Sequence, residues 1–344
     1  MIAIILSLTA ALLVSSEPQA ITAQLEAPVF NLADLVSQSD LVVLGVATGR
    51  RELGPASLQR LGRTFSTRVM STTIAVDVVV KGATSSSNLE VGFALPEEAV
   101  MGFAEPDYGS SSLFFLQKTG DVYRFTSVFH PSTAAIAGSR PSGSTALDRA
   151  ANVLEEVIAS PTSSRLDKRT AIDRLHLIET PAAIRGLNAA VRSQLDSSLR
   201  VYAAMGLLQL GDLAALRFAQ RELLDRSSGL TDIMAEQLRY GIANGSWRDN
   251  SVTVLAGLLA SPDVRDRRAA AEGLFRTQSA KAIAPLATAL NDRDVDVRYE
   301  VVRALALITG DQPTPTREQF VRSPNQYTGY WTAWASKVER SGRF

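Results

Sequence analysis

The chain of 344 residues contains no cysteine. Disulfide staples, thiolate metal ligands and a lipid-modified N-terminal cysteine are therefore excluded. Histidine is limited to His130 and His176. Neither sits in a His-x-x-x-His or Glu-x-x-His spacing, so the usual zinc-ligand sets are absent. Lysine occurs only at positions 81, 118, 168, 281 and 337, and arginine supplies the remaining positive charge. We read that bias as base composition of the genome rather than function. The formal net charge is zero. No basic excess exists to neutralise a phosphate backbone, which argues against nucleic acid as a partner.

Catalytic signatures are also lacking. No Gly-x-Ser-x-Gly elbow, no Ser-x-x-Lys pair and no phosphate loop occurs. A Ser–His–Asp triad assembled from distant residues stays open at this level. Asp292, Asp294 and Asp296 alternate as in a calcium loop, but the glycine of the sharp turn and the distal bidentate glutamate are missing. Helix capping is the better account of those aspartates. The expectation is a protein that is not an enzyme, with no cofactor and no metal site.

What is present is an ordinary globular composition, 46% hydrophobic and 20% charged. The length suits two domains, or one domain and an array, each with its own core. The chain opens on an apolar run, Met1–Val14, followed by small residues with possible cleavage after Ala20 or Ala23. The run is shorter than the roughly 20 residues a bilayer span requires. It reads as a signal peptide over residues 1–23 and implies a periplasmic or secreted protein with no stable membrane span after its removal. No Lys or Arg precedes Arg50, so the positive n-region is weak, and a buried N-terminal helix is the competing reading.

Residues 24–132 read as β-structure. A short helical turn is expected at Asn31–Ser39, then a compact run, Leu41–Val46. Thr73–Val80 alternates, with Ile74, Val76, Val78 and Val80 on one face. Leu89–Leu95 alternates again. Leu113–Leu116 is wholly apolar, and Lys118–Asp121 turns it back into Val122–Phe129. About five strands in this order predict a small OB-like Greek-key barrel. The order resembles the netrin-type module shared with tissue inhibitors of metalloproteinases. Ser39-Asp40 leading into Leu41–Gly45, a long strand ending at Lys81-Gly82, and the final hairpin carry that resemblance. The N-terminal cysteine through which those inhibitors grip zinc has no counterpart, so zinc-protease inhibition does not follow. The resemblance implies fold and an exported setting. Residues 133–146, rich in Gly, Ser and Pro, read as a linker.

From Leu147 the apolar period becomes about 3.6. Val252–Leu274 can be laid over Ile283–Leu305 with one constant offset: Leu255 falls on Leu286, Asp263 on Asp294, Arg267 on Arg298 and Leu274 on Leu305. Such a period marks a stacked helical repeat. Asp196, Arg200 and Leu207 match the same spacing, Ser164, Lys168 and Leu175 match it loosely, and a decayed unit falls near Met234. About five helix pairs are expected over residues 147–311. The aspartates are placed to cap the second helix of each pair, with the arginine one turn on. This pattern, with Pro285 in a first helix, resembles the HEAT-repeat family, in which these Asp and Arg positions form a ladder between neighbouring repeats. The resemblance makes Asp196, Arg200, Asp263, Arg267, Asp294 and Arg298 structural. A ligand-binding arginine row is the less favoured reading, because stacked repeats need such neighbour contacts.

Candidate binding residues are Arg268, Glu272, Tyr299 and Arg303, polar positions assigned to exposed faces of second helices. In residues 312–344, Tyr327, Trp331, Trp334 and Val338 recur at helical spacing. They are expected to form a capping helix over the last repeat. An aromatic patch for peptide or glycan, centred on Trp331 and Trp334, is the sharper alternative. The reading as a whole is an exported, non-catalytic scaffold, an OB-like barrel followed by a HEAT-type solenoid that binds another protein. An inhibitor or accessory subunit of an extracellular hydrolase, acting through the barrel, is the first rival. An unrecognised hydrolase using His130 or His176 is the second.

Overall fold

A computed structural model of the chain describes residues 31–60, 63–97, 104–127, 129–225, 227–311 and 314–340. The leader expected over residues 1–23 lies outside the described residues. The alternating and apolar runs become strands β1 (Leu41–Arg60), β2 (Arg63–Lys81), β3 (Asn88–Pro96), β4 (Ser111–Thr119), β5 (Val122–Phe125) and β6 (Ser132–Ala134). Their order is β1-β2-β3-β5-β4-β6, and β4 also pairs with β1. The sheet therefore closes on itself through β1, β2, β3, β5 and β4. The β3–β5 contact is parallel, and the other strand pairs are antiparallel. That is the connectivity of an OB-like barrel. Leu41, Val43, Ala47, Met70, Ile74, Val91, Phe93, Phe114, Leu116 and Phe125 fill the inside.

The unbroken apolar runs of β1 and β4 have a reason. Val43 and Phe114 face the barrel core. Their alternate neighbours Val42, Leu44, Leu113 and Phe115 are equally buried, so both sheet faces are covered there. The second layer consists of α1 (Leu32–Gln38), α2 (Ala146–Ala159) and α3 (Arg165–Leu175). α2 packs on α1 and β2, and α3 packs on α2 and β6. Asn31 caps α1 by accepting from the Asp34 N–H. Lys81 closes its other end, donating from Nζ to the carbonyls of Val36 at 2.7 Å, Ser37 at 3.1 Å and Ser39 at 2.6 Å. Gly82 has φ +78°, and a Cβ there would stand 2.4 Å from the Asp40 carbonyl oxygen, so only glycine fits. From α2, Arg149 donates to the Val80 carbonyl through Nε and Nη2 at 3.0 and 2.7 Å.

Two strands exceed the sequence expectation. β1 and β2 continue as one hairpin out to the pair Arg60↔Arg63. Register shifts at Thr48/Arg50 and Glu52/Gly54 interrupt the alternation a period-two reading depends on. β6 straddles residue 133, where the linker was expected to start, and its three residues pair with Ser112, Leu113 and Phe114. A strand that short has no detectable period.

The chain divides into two compact units at Gly186/Leu187. The first unit therefore includes the barrel and the α2/α3 pair. Helix α4 (Pro181–Arg192) crosses the division. The second unit continues with α5 (Ser197–Gln209), α6 (Leu213–Leu224), α7 (Asp232–Asn244), α8 (Val252–Leu258), α9 (Val264–Arg276), α10 (Ile283–Thr288), α11 (Val295–Thr309), α12 (Arg317–Arg322) and α13 (Pro324–Arg340). From α2 to α11 ten α-helices follow one another along the chain. In the second unit the second helices lie side by side, α5 on α7, α7 on α9 and α9 on α11. The outer pair α12/α13 contacts α11, and α13 also contacts α10.

Candidate functional site

Each second helix in this layer starts from a side-chain cap. Asp196 accepts from the Leu199 N–H, Thr231 from Met234, Asp263 from Arg265, and Asp294 from Asp296 and Val297. Beneath the caps runs a chain of ion pairs between repeats. Arg267 reaches forward to Asp292 with two parallel hydrogen bonds, 2.7 and 2.9 Å, and donates to the carbonyls of Ser261 at 3.0 Å and Pro262 at 3.3 Å. Arg239 of α7 reaches forward to Asp266 at 2.7 Å and Asp263 at 3.0 Å. Ser261 Oγ donates to the other Asp266 oxygen at 2.6 Å. Arg239, Asp266 and Arg267 are all buried. The Asp263 carboxyl is held down at about 2, chiefly by its hydrogen bond from Arg265.

The unit near Met234 departs from the repeat in an instructive way. Thr231 stands where the other second helices have their capping aspartate, and Ala235 stands at the arginine position. Arg239, one turn further along, supplies the forward contact instead. A search for arginine at fixed spacing misses it. Arg200 donates to the Val191 carbonyl at 3.1 Å and lies over the Phe218 ring at 5.1 Å. Arg298 donates to the Asp292 carbonyl at 2.7 Å. Arg200 and Arg298 thus brace turns and helices of the array, and all three candidate arginines are engaged with the protein itself.

The four polar candidates fall in two rows across the layer. The fifth residue after each cap is Val201, Glu236, Arg268 and Tyr299, and the ninth is Met205, Tyr240, Glu272 and Arg303. Arg268 pairs with Asp296 on the next helix, which also holds Arg317 at 2.6 Å. Arg303 pairs with Glu300 at 2.6 Å and covers the Phe275 ring at 5.6 Å. Burial pushes the Glu272 carboxyl up, against the pull of Arg303, Arg268 and Arg276. Burial likewise raises Glu300, Arg303 opposes the rise, and the neighbouring Glu272 adds to it. This end of the layer is a self-neutralised charge network.

Tyr299 was assigned to an exposed face, but the structure places it in the cap. It is half-buried, its ring 5.7 Å from Phe320, which in turn lies 5.8 Å from Tyr327. Trp331 is 1% exposed and makes edge contacts with Tyr330 and Trp334, each at 5.3 Å. A large ring with so little solvent access cannot present itself to a ligand. Trp334 is half-buried.

Sequence reading missed the other end of the layer. Ile233 and Tyr240 of α7 are 73% and 57% exposed. With Met205, Gln237, Asp232 and Glu236 they line a shallow groove of about 410 Å³. The signal was available as two large apolar residues one heptad apart where the neighbouring repeats carry Arg265 and Glu272, or Asp296 and Arg303.

The two histidines lie in the first unit. His130 is half-buried, and burial and the Arg174 guanidinium hold its imidazole down to about 4. His176 is the C-cap residue of α3, its backbone N–H donating to the Asp173 carbonyl. Among the described residues no group of three or more His, Asp or Glu is arranged to hold a metal ion. No described helix is long and apolar enough to cross a membrane.

Residues 252–335 match the family model of HEAT repeats. The match takes in α8 to α11 and continues through α12 into α13. HEAT repeats commonly mediate protein interactions. Among solved structures, an engineered protein from a structural genomics programme is similar at 21% identity, covering 48% of this chain and 82% of its own, with a TM-score of 0.35. None of the curated proteins matches.

Proposed function

We propose that the chain is an exported, non-catalytic scaffold whose layer of second helices recognises another protein. The observation that supports this best is the split within that layer. Its interior arginines and aspartates are consumed by contacts between repeats, while α7 leaves Ile233 and Tyr240 uncovered. Large apolar side chains held exposed on a rigid helical layer are a recognition surface. Export rests on the apolar residues 1–14 and the small residues after them. The barrel adds a second contact or anchors the scaffold at the envelope. We further take the barrel to be of netrin type. The helix leading into β1, the Lys81-Gly82 end of β2 and the closing β4–β5 hairpin support that reading.

The test uses the full chain in its native host, carrying a photo-crosslinking phenylalanine analogue at Tyr240, or at Tyr108 on the barrel. A crosslinked protein at Tyr240 from the envelope or secreted fraction, with an N-terminus beginning after residue 20 or 23, is the expected result. Crosslinks confined to Tyr108 would move recognition to the barrel and favour an inhibitor or accessory subunit of an extracellular hydrolase. A chain retained in the cytoplasm with its first residues intact would refute export.

A further inference from the structure

The groove on α5 and α7 has a chemistry that selects its occupant. Its floor is apolar, from Met205, Ile233 and Tyr240. Its rim is acidic, because Asp232 and Glu236 line it and no cation does. The Asp232 side chain is 91% exposed, and among the described residues its one ion pair is a long one, 3.9 Å, to Arg265. Arg265 is itself divided among Asp232, Glu236 at 3.1 Å and Asp263 at 2.8 Å. Arg239 is likewise divided among Glu236, Asp263 and Asp266. Four carboxylates therefore share two guanidinium groups, which leaves the rim negative although the chain as a whole is neutral. A negative rim around an apolar floor favours a cationic partner with an apolar anchor.

We propose that this groove seats an apolar side chain from a segment of a partner protein that carries flanking lysine or arginine. The inference rests on the scaffold reading above and names the partner chemistry for it. A second copy of this chain using the same face would set its own acidic rim against this one, which opposes a symmetric pairing. The chain's own first residues lack the needed charge, since no Lys or Arg precedes Arg50.

The experiment measures fluorescence anisotropy of the full chain with two short labelled amphipathic peptides of one pattern, leucine with lysine and leucine with glutamate. The leucine–lysine peptide is expected to bind, with affinity falling as salt rises. Ile233→Ser with Tyr240→Ser is expected to weaken it about tenfold or more, the effect of withdrawing two apolar contacts. Asp232→Asn with Glu236→Gln is expected to weaken binding and flatten the salt dependence. Leu307→Ser, which alters an exposed apolar residue elsewhere on the layer, is expected to leave binding unchanged. These side chains are exposed, and an unchanged melting curve confirms that each variant folds. Failure of the leucine–lysine peptide to bind, equal binding of both peptides, or equal weakening by Leu307→Ser would overturn the proposal. Self-association of the native chain that Ile233→Ser abolishes would assign the groove to a second copy and overturn it as well. A cellular partner crosslinked at Tyr240 in which no basic residue adjoins the crosslinked side chain would keep the scaffold reading and overturn this one.

Discussion

Arg267 offers the sharpest test of how the helical array is held. Its guanidinium makes two hydrogen bonds to Asp292 of the next repeat, at 2.7 and 2.9 Å, and both side chains are nearly inaccessible, 6% and 9% exposed. Arg267→Met keeps the aliphatic stem and removes the fork. It leaves the Asp292 carboxylate with the Asp294 N–H at 2.8 Å and little solvent. Breaking a buried pair from one side costs about 3–5 kcal/mol. The surviving backbone donor argues for the lower end, about 3 kcal/mol. In a unit of this size that is a fall of roughly 6–12 °C in melting temperature. Asp292→Asn leaves Arg267 its Ser261 and Pro262 carbonyls and is expected to cost only about 1–2 kcal/mol. The double variant no longer strands a charge, so the cycle is expected to show a coupling of about 2 kcal/mol. The chain's three tryptophans, Trp247, Trp331 and Trp334, all lie in the second unit. Urea titration followed by tryptophan fluorescence therefore reads that unit alone. Acid supplies an internal check. Burial works to raise the Asp292 carboxyl, but the bond from Arg267, the bond from the Asp294 N–H and the charges of Arg267 and Arg293 together more than offset it, and its pKa lies below the ordinary value. That contribution is present above the unfolded carboxyl's pKa and is lost as pH falls through the folded one. Arg267→Met is expected to lose this acid dependence. A loss below about 1 kcal/mol, or no coupling with Asp292, would refute the claim that this ladder binds the repeats together.

Further outcomes follow from the same reasoning. His130, with its imidazole held down to about 4, binds fewer protons folded than unfolded between that value and the ordinary 6.5. The first unit is expected to lose about 1 kcal/mol, discounted for partial exposure, as pH falls across that window. His130→Asn should flatten the loss in urea midpoints read by circular dichroism at pH 7 and 4.5. Leu177 has φ +61° and is 57% exposed, so Leu177→Gly is expected to stabilise by about 0.5–1 kcal/mol, seen as a higher urea midpoint. Trp331→Ala is expected to destabilise the second unit by about 3–5 kcal/mol. At a temperature where the variant stays folded, crosslinking at Tyr240 should be unchanged, and loss of crosslinking there would restore the aromatic-patch reading. Lys81→Met leaves the last carbonyls of α1 without their donor and is expected to cost about 1–2 kcal/mol, read as a lower urea midpoint of the first unit.

Much of the fold was legible because it repeats a short-range rule. Ile74 to Val80 and Leu89 to Leu95 alternate, and β2 and β3 form there. The capping positions Asp196, Asp263 and Asp294 were readable from spacing, since a cap is a local interaction between a side chain and a backbone N–H three or fewer residues away. The outer part of the β1–β2 hairpin was not legible, because bulges at Thr48/Arg50 and Glu52/Gly54 shift the side-chain alternation. Nor was the association of α2 and α3 with the barrel in one unit. Both faces of β1 and β4 are buried, and a continuous apolar run does not name what covers its second face. Arg239 was missed because it makes the inter-repeat contact from a different turn of its helix.

That last miss bears on where function lies in an array of this kind. A residue that must meet a neighbouring repeat is held to a period, because the neighbour carries the same pattern. Arg267 and the caps are of that sort. A residue that meets a foreign molecule has no such partner within the chain, so nothing holds it to the period. The ninth position after the cap shows the contrast, running from Met205 and Tyr240 to Glu272 and Arg303. Glu272 and Arg303 sit in a charge network closed among α9, α11 and Arg317. Tyr240 lines a groove that, among the described residues, stays open. Periodicity thus identifies what holds the stack together, and a break in periodicity at an outward-facing position is what the proposed recognition surface rests on. The four polar residues chosen from the most regular repeats belonged, on that argument, to the part of the layer least free to bind. The irregular α7 carries the exposed apolar pair instead.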